Sequence, residues 1–203
     1  MKFTSMMIIM IALRFSSLAQ DISHVDAGTP REVQIRIASL AAPKEVSDHA
    51  DVYVLGQRGY ELGRKGDNGF SCLIERERPN TMEPECYDAE GTNTTLKVRL
   101  FVEQQRANHV SEEEIERSVR AAYKSGKFSP PVKAGIVYML SVYNYVLNPE
   151  TGEIIHFPGH LMFYAPYATE KTIGSGEGAP YIVHPGEPDA LMIVVPALSH
   201  SHK

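Results

Sequence analysis

The sequence GFSCLIERERPNTMEPECYDAEG occupies residues 69–91 and contains the only two cysteines of the chain, Cys72 and Cys86. Glu, Arg, Pro and Asn dominate its centre, and such residues bury too little apolar surface to order a loop. We therefore predict a disulfide between the two cysteines, which would contribute about 3 kcal/mol by restricting the unfolded chain. A metal pair or a reactive thiol is the alternative. No Cys-x-x-Cys or His-x-x-x-Cys grouping supports the metal pair.

The first 19 residues have the organisation of a secretory signal peptide. Lys2 precedes an unbroken apolar run over residues 6–13, and small residues stand at the positions before Gln20 that a signal peptidase reads. The run is shorter than the ~20 residues that span a bilayer, which makes a retained membrane anchor the weaker interpretation. We expect residues 1–19 to be cleaved and residues 20–203 to form a single exported domain.

The composition of the mature chain restricts its partners. Removal of the signal leaves 184 residues, with 18 basic and 25 acidic side chains and a formal charge of −7. This is the size of one domain with a proper core. The negative charge argues against binding to nucleic acid and against adhesion to an anionic membrane surface. With a disulfide expected, we predict a periplasmic or secreted protein.

The apolar pattern predicts an α+β fold, a mostly antiparallel sheet with about three packed helices. Residues 29–32 and 111–114 have the capping-box pattern of a helix start. Residues 94–107 alternate like a strand but end in strong helix formers, and we interpret them as a helix. Short apolar runs bounded by Pro and Gly predict strands at 51–55, 60–64, 70–74, 136–140, 144–147, 154–157, 161–164, 181–184 and 191–195.

Four segments together resemble a group of exported bacterial proteins of unassigned function. They are NGFSC at 68–72, PECYD at 84–88, GIVYML at 135–140 and HLMFYAP at 160–166. The resemblance covers most of the mature chain and implies export and a bacterial source. It implies no activity, and it assigns no catalytic residue.

One combination of residues has the chemistry of an acid/base or metal site. His160 precedes an apolar strand, where a buried ring needs a partner. Asp88 and Glu90, with Glu85 close by, are the carboxylates nearest the predicted disulfide. If the strand ends converge, His160 and a carboxylate would come within reach of each other. The favoured interpretation is structural: a histidine satisfied in the core, and carboxylates that cap the following helix or coat a loop.

Tyr138 and Tyr164 would line one wall of such a site, although core positions are favoured for both. His156 and His160 have helical metal-ligand spacing, but Pro158 prevents the helix, and in a strand the two lie roughly 13 Å apart. We therefore predict no metal site. His184, which precedes a proline, is interpreted as solvent-exposed.

Two functional hypotheses follow. The favoured one is a non-catalytic exported domain that binds a small molecule or another protein of the cell envelope, because no catalytic motif is complete. The alternative is a metal-dependent or acid/base enzyme centred on His160 with Asp88 and Glu90. No residue pattern identifies a cofactor.

Overall fold

The computed structural model describes residues 25–76, 81–148, 150–174 and 180–194. The predicted signal peptide lies outside these residues. The helices are α1 (Arg31–Ser39), α2 (Lys44–Ser47), α3 (Ala89–Asn93), α4 (Thr95–Ala107), α5 (Glu112–Lys124) and α6 (Glu170–Ile173). The strands are β1 (Asp51–Gly56), β2 (Gly59–Arg64), β3 (Ser71–Glu75), β4 (Glu83–Tyr87), β5 (Ile136–Met139), β6 (Tyr145–Leu147), β7 (Ile154–His156), β8 (His160–Tyr164), β9 (Tyr181–Val183) and β10 (Leu191–Val194).

Eight of these strands form one sheet in the order β2-β1-β3-β4-β5-β8-β10-β9. All neighbours run antiparallel except β1 and β3, which are parallel. Strands β6 and β7 pair separately as a small antiparallel hairpin. The predicted α+β fold with a mostly antiparallel sheet is confirmed.

The disulfide joins two neighbouring strands of this sheet. Cys72 of β3 lies directly opposite Cys86 of β4, and the two are bonded, as predicted. The prediction of an irregular loop was wrong at Glu83–Tyr87, because this polar segment forms β4 in the middle of the sheet. It pairs with β5 on its other side, where Cys86 lies opposite Tyr138. The polar side chain of Glu85 is accommodated by buried partners described below.

The sheet has a helix layer on each face. On one face, α1 contributes Ile37 and Ala38 to a cluster that includes both cysteines. On the other face, α4 contributes Leu96 to a cluster with Tyr87 of β4 and strand residues further along the sheet. Helix α5 packs on α4 through a third, smaller cluster. The structure is therefore layered as helix, sheet, helix and a further helix.

The predicted N-cap forms at the start of α5 but not at the start of α1. Ser111 caps α5 as predicted, since its Oγ accepts a hydrogen bond from Glu114 N at 3.4 Å. Thr29 does not cap α1, because its hydroxyl is bonded to Asp26 instead. Helix α1 is attached to the sheet by Gln34, a buried residue whose Oε1 accepts a hydrogen bond from a β1 backbone amide at 2.7 Å.

Asp88 ties three elements together after β4. Its Oδ1 accepts hydrogen bonds from Gly91 N at 3.0 Å and from the Tyr164 hydroxyl at 3.1 Å. Its Oδ2 accepts a hydrogen bond from Ile136 N at 3.0 Å. One carboxylate thus caps α3 and holds the ends of β5 and β8. A methyl group at Gly135 would lie 2.2 Å from Oδ2, so this close approach requires glycine.

We predict that Asp88→Ala lowers the free energy of unfolding by about 2–4 kcal/mol, because three donors lose a charged acceptor. Glu90→Ala is the matched control. Glu90 Oε1 also accepts two backbone hydrogen bonds, from Val132 and Lys133, but at an exposed site where water replaces it. Urea unfolding followed by circular dichroism measures both. Equal costs for the two variants would contradict the assignment of Asp88 as the structural tie.

Candidate functional site

The structure does not bring His160 and Asp88 together. His160 lies opposite Met139 at one end of β5, whereas Asp88 is bonded to Ile136 at the other end. Ile136 and Met139 are three residue steps apart along β5, which places their Cα atoms roughly 10 Å apart. The His160 ring instead contacts Pro158 O through Nδ1 at 3.0 Å.

His160 is buried, and its other ring nitrogen has no hydrogen-bond partner among the described residues. Burial lowers the pKa of His160, although the bond to the Pro158 carbonyl opposes this effect. The ring is therefore a neutral group at the start of β8.

The two tyrosines predicted to line one wall lie on opposite faces of the sheet. Tyr138 packs on the cluster that contains the disulfide, with its ring centroid 6.3 Å from that of Phe70. Tyr164 packs on the other cluster and donates to Asp88. The two side chains share no wall.

The polar groups that do converge lie between the sheet and α4. The Tyr87 hydroxyl donates a hydrogen bond to Glu85 and lies 3.3 Å from Glu75 Oε2. Arg99 of α4 reaches the same group, with Nε 2.9 Å from Glu75 Oε1. The Tyr87 hydroxyl thus lies between two carboxyl groups, and one of them, Glu75, is paired with Arg99.

Burial is the main influence on the protonation of Glu85. Burial, followed by the charge of Glu75, raises the pKa of Glu85 well above its usual range, although Arg99 opposes the shift. Burial and the same carboxylates also raise the pKa of Tyr87. The raised pKa favours the protonated form of Glu85, while Glu75 pairs with Arg99.

A second buried carboxylate continues the network along α4. Glu103 contacts Arg76 Nη2 through Oε2 at 2.8 Å and Arg106 Nη1 through Oε1 at 2.7 Å. Arg106 in turn pairs with Glu112 of α5 at 2.8 Å. Because residues three and four apart share a helix face, Arg99, Glu103 and Arg106 form one polar stripe on α4. The stripe joins α4 to the end of β3 and to the start of α5.

Beside this stripe lies an open cleft of about 790 Å³ between α4, α5 and the turn that joins β9 to β10. We call it the α4–α5 cleft. Its apolar lining is Val98, Val102, Ile115, Val119 and Pro185. Its ionisable lining is Glu75, Arg99, Arg106, Glu112, Glu116, Arg120, His184, Glu187 and Asp189. The Glu75–Arg99 pair forms its floor, where both side chains are more than four-fifths buried.

A histidine and an aspartate meet at the rim of the cleft. His184 Nδ1 lies 3.1 Å from Asp189 Oδ2, and the histidine side chain is 46% exposed while the aspartate is 14% exposed. Burial opposes ionisation of Asp189, but the bond to His184 and the charge of Arg99 prevail and lower its pKa. His184 has a positive φ of 53°, a conformation that non-glycine residues adopt at a cost. The backbone is therefore held in an unfavourable conformation where it presents His184.

Another cleft, of about 700 Å³, lies beside the β1–β2 turn. Two of its polar side chains are engaged by the backbone: Gln34 bonds Leu55, and Arg31 donates to Gly63 O. The α4–α5 cleft combines apolar walls with half-exposed polar groups, the usual composition of a ligand site.

In the described part of the chain, no group of three or more His, Cys, Asp or Glu side chains is arranged to hold a metal ion. None of the helices described is long and apolar enough to cross a membrane. Comparison with protein-family models, with curated proteins and with solved structures found no match for this chain. The resemblance to exported bacterial proteins stays a prediction.

Sequence reasoning missed most of this site. It noted Glu85 only as a neighbour of Asp88. It correctly predicted that His184 is exposed, but it did not predict the contact of His184 with Asp189. Two signals were present: Glu85 and Tyr87 alternate onto one face of a strand, and His184-Pro-Gly-Glu-Pro-Asp189 has the composition of a tight turn. No pattern in the neighbouring sequence predicts the contact between Glu75 and Arg99.

The protonated state of Glu85 predicts how stability depends on pH. Because its pKa is raised in the folded state, its favourable contribution is complete below its usual range near 4.5 and is lost as pH rises. Glu85→Gln mimics the protonated acid and removes this loss. We expect the variant to match the wild type near pH 4 and to be more stable by roughly 1 kcal/mol or more at pH 8.

Urea unfolding at several pH values measures this difference. Glu153→Gln, an exposed site outside the network, controls for the loss of one negative charge. A gap between the wild type and Glu85→Gln that stays constant with pH would show that Glu85 is not protonated in the folded protein.

Proposed function

We propose that this chain is an exported, non-catalytic domain that binds a small molecule in the α4–α5 cleft. The observation that carries the proposal is the composition of the cleft. Val102 and Val119, both half-buried, and the exposed Pro185 offer an apolar surface, and polar groups converge beside it at fixed positions. Ligand sites combine apolar walls with a few placed polar groups in this way.

Rigid support for the cleft also favours binding. Its floor is fixed by the Glu75–Arg99 pair, and one of its ends by the Arg106–Glu112 pair. A site whose polar groups are held in place before the ligand arrives loses little entropy on binding.

Export is supported by the N-terminal sequence and by the disulfide. The apolar run over residues 6–13 and the small residues before Gln20 are typical of a signal peptide. The Cys72–Cys86 bond is the kind of cross-link that persists outside the cytosol. We propose a bacterial source and a location in the periplasm or the medium, as the sequence resemblance implies.

The enzyme hypothesis on His160 has no geometric support, because His160 and Asp88 lie at opposite ends of β5 and Asp88 is fully used as a structural tie. Glu90 is engaged by the backbone of Val132 and Lys133. These residues are better explained by structure than by catalysis.

A second candidate is an acid/base enzyme that acts in the same cleft, and the His184–Asp189 pair favours it. Asp189 holds Nδ1 of the ring, which leaves Nε2 to exchange a proton with a bound ligand. Conversion of a bound compound over hours, lost in His184→Gln while binding persists, would establish this candidate in place of the first.

The proposed site predicts which substitution blocks binding. Glu116 and Glu113 lie one helical turn apart on α5, and both are exposed, but only Glu116 lines the cleft. We expect Glu116→Trp to fill the cleft and to weaken binding at least about tenfold, whereas Glu113→Trp leaves it unchanged.

Ligand-observed NMR against a library of fragment-sized amines, alcohols, acids and sugars supplies the compounds, and titration of each variant supplies the affinities. Compounds that bind both variants equally well would place the ligand site outside the cleft.

A further inference from the structure

We infer that the α4–α5 cleft selects ligands that carry a protonated amine next to an apolar body. The inference rests on the proposed function and adds the chemical class of the ligand. It follows from the charges that line the cleft, from the histidine at its rim and from its apolar wall.

The cleft is lined by five carboxylates and three guanidinium groups. Each guanidinium group already has a carboxylate partner within the cleft. Arg99 lies 2.9 Å from Glu75, Arg106 lies 2.8 Å from Glu112, and Arg120 lies 3.6 Å from Glu116. An anionic ligand that approached one of these guanidinium groups would also meet the negative charge of the carboxylate paired with it. An anion is therefore disfavoured throughout the lining.

The two carboxylates left over stand together on the β9–β10 turn. Glu187 forms no ion pair with any residue that the structure describes, and its side chain is exposed. Asp189 is mostly buried; its carboxylate lies 3.1 Å from His184 Nδ1 and also interacts electrostatically with Arg99. The excess negative charge of the cleft is thus concentrated at one end of it. A cation placed there gains attraction without breaking any existing pair.

His184 adds a directed hydrogen-bond acceptor at the same end. When Nδ1–H donates to Asp189, the neutral ring carries its lone pair on Nε2. Among the described residues, no side chain or backbone group bonds this nitrogen. An ammonium group can donate one hydrogen bond to Nε2 and a second to the Glu187 carboxylate, both on the same turn.

The apolar lining of the cleft indicates the second feature of the ligand, an apolar group attached to the amine. Val119 and Pro185 line the cleft beside the turn, and the half-buried Val102 of α4 extends the apolar surface. An alkyl or aryl group attached to the amine would cover these side chains. Each methylene removed from water there contributes to binding.

A matched set of three compounds tests the inference: hexylamine, 1-hexanol and hexanoate, which share an apolar chain and differ in charge. Each is titrated into the ¹⁵N-labelled mature protein at pH 7, where the amine is protonated. We expect hexylamine to bind at least about fivefold more tightly than hexanol, and hexanoate to bind more weakly than hexanol. The amide signals of Val119, His184 and Glu187 should shift.

Two variants separate local recognition from the overall negative charge of the protein. Glu187→Gln removes one carboxylate from the cleft, and Glu113→Gln removes one from the exposed face of α5 outside it. We expect Glu187→Gln to reduce the preference for hexylamine over hexanol at least about twofold and Glu113→Gln to leave it unchanged.

The outcomes distinguish this inference from the proposed function. If hexanol or hexanoate shifts the cleft signals and binds as tightly as hexylamine, the cleft binds ligands without selecting amines, and the inference fails alone. If both variants reduce the preference equally, the selection comes from net charge, and the inference also fails. If none of the three compounds shifts the cleft signals, both the inference and the proposed binding site fail.

Discussion

The ion pair between Glu75 and Arg99 is the contact on which the rest of the structure depends. Glu75 is the last residue of β3, and Arg99 lies one turn into α4, so the pair joins the sheet to the helix layer above it. Both side chains are mostly buried, and the loss of either partner would leave an uncompensated charge inside the protein. The same pair forms the floor of the α4–α5 cleft. This ion pair therefore contributes both to the packing of α4 on the sheet and to the floor of the α4–α5 cleft.

Charged groups are unevenly balanced around α4. Between α4 and the sheet, burial and the charge of Glu75 raise the pKa of Glu85, and Arg99 pairs with Glu75. In the α4–α5 cleft, each arginine is paired with a carboxylate, and Glu187 on the β9–β10 turn forms no ion pair with any described residue. Such an arrangement accommodates a cation more readily than an anion.

The sequence predicted the fold correctly where neighbouring residues determine the local structure. Alternating apolar residues marked most of the strands, Ser111 marked the start of α5, and the two cysteines marked the cross-link. β4 was missed because its central position depends on buried partners for Glu85 that come from elsewhere in the chain. For Asp88, the favoured interpretation as a cap of the following helix is confirmed. The site residues were missed because Glu75 and Arg99 meet only through the packing of α4 on the sheet.

A double-mutant cycle on Glu75 and Arg99 tests the central claim most directly. The free energy of unfolding is measured for the wild type, Glu75→Gln, Arg99→Met and the double variant. We predict that the double variant is less destabilised than the sum of the single variants, with a coupling energy of about 2 kcal/mol, because each single change strands a buried partner. Additivity within about 0.5 kcal/mol would show that the two residues act independently and would contradict the account.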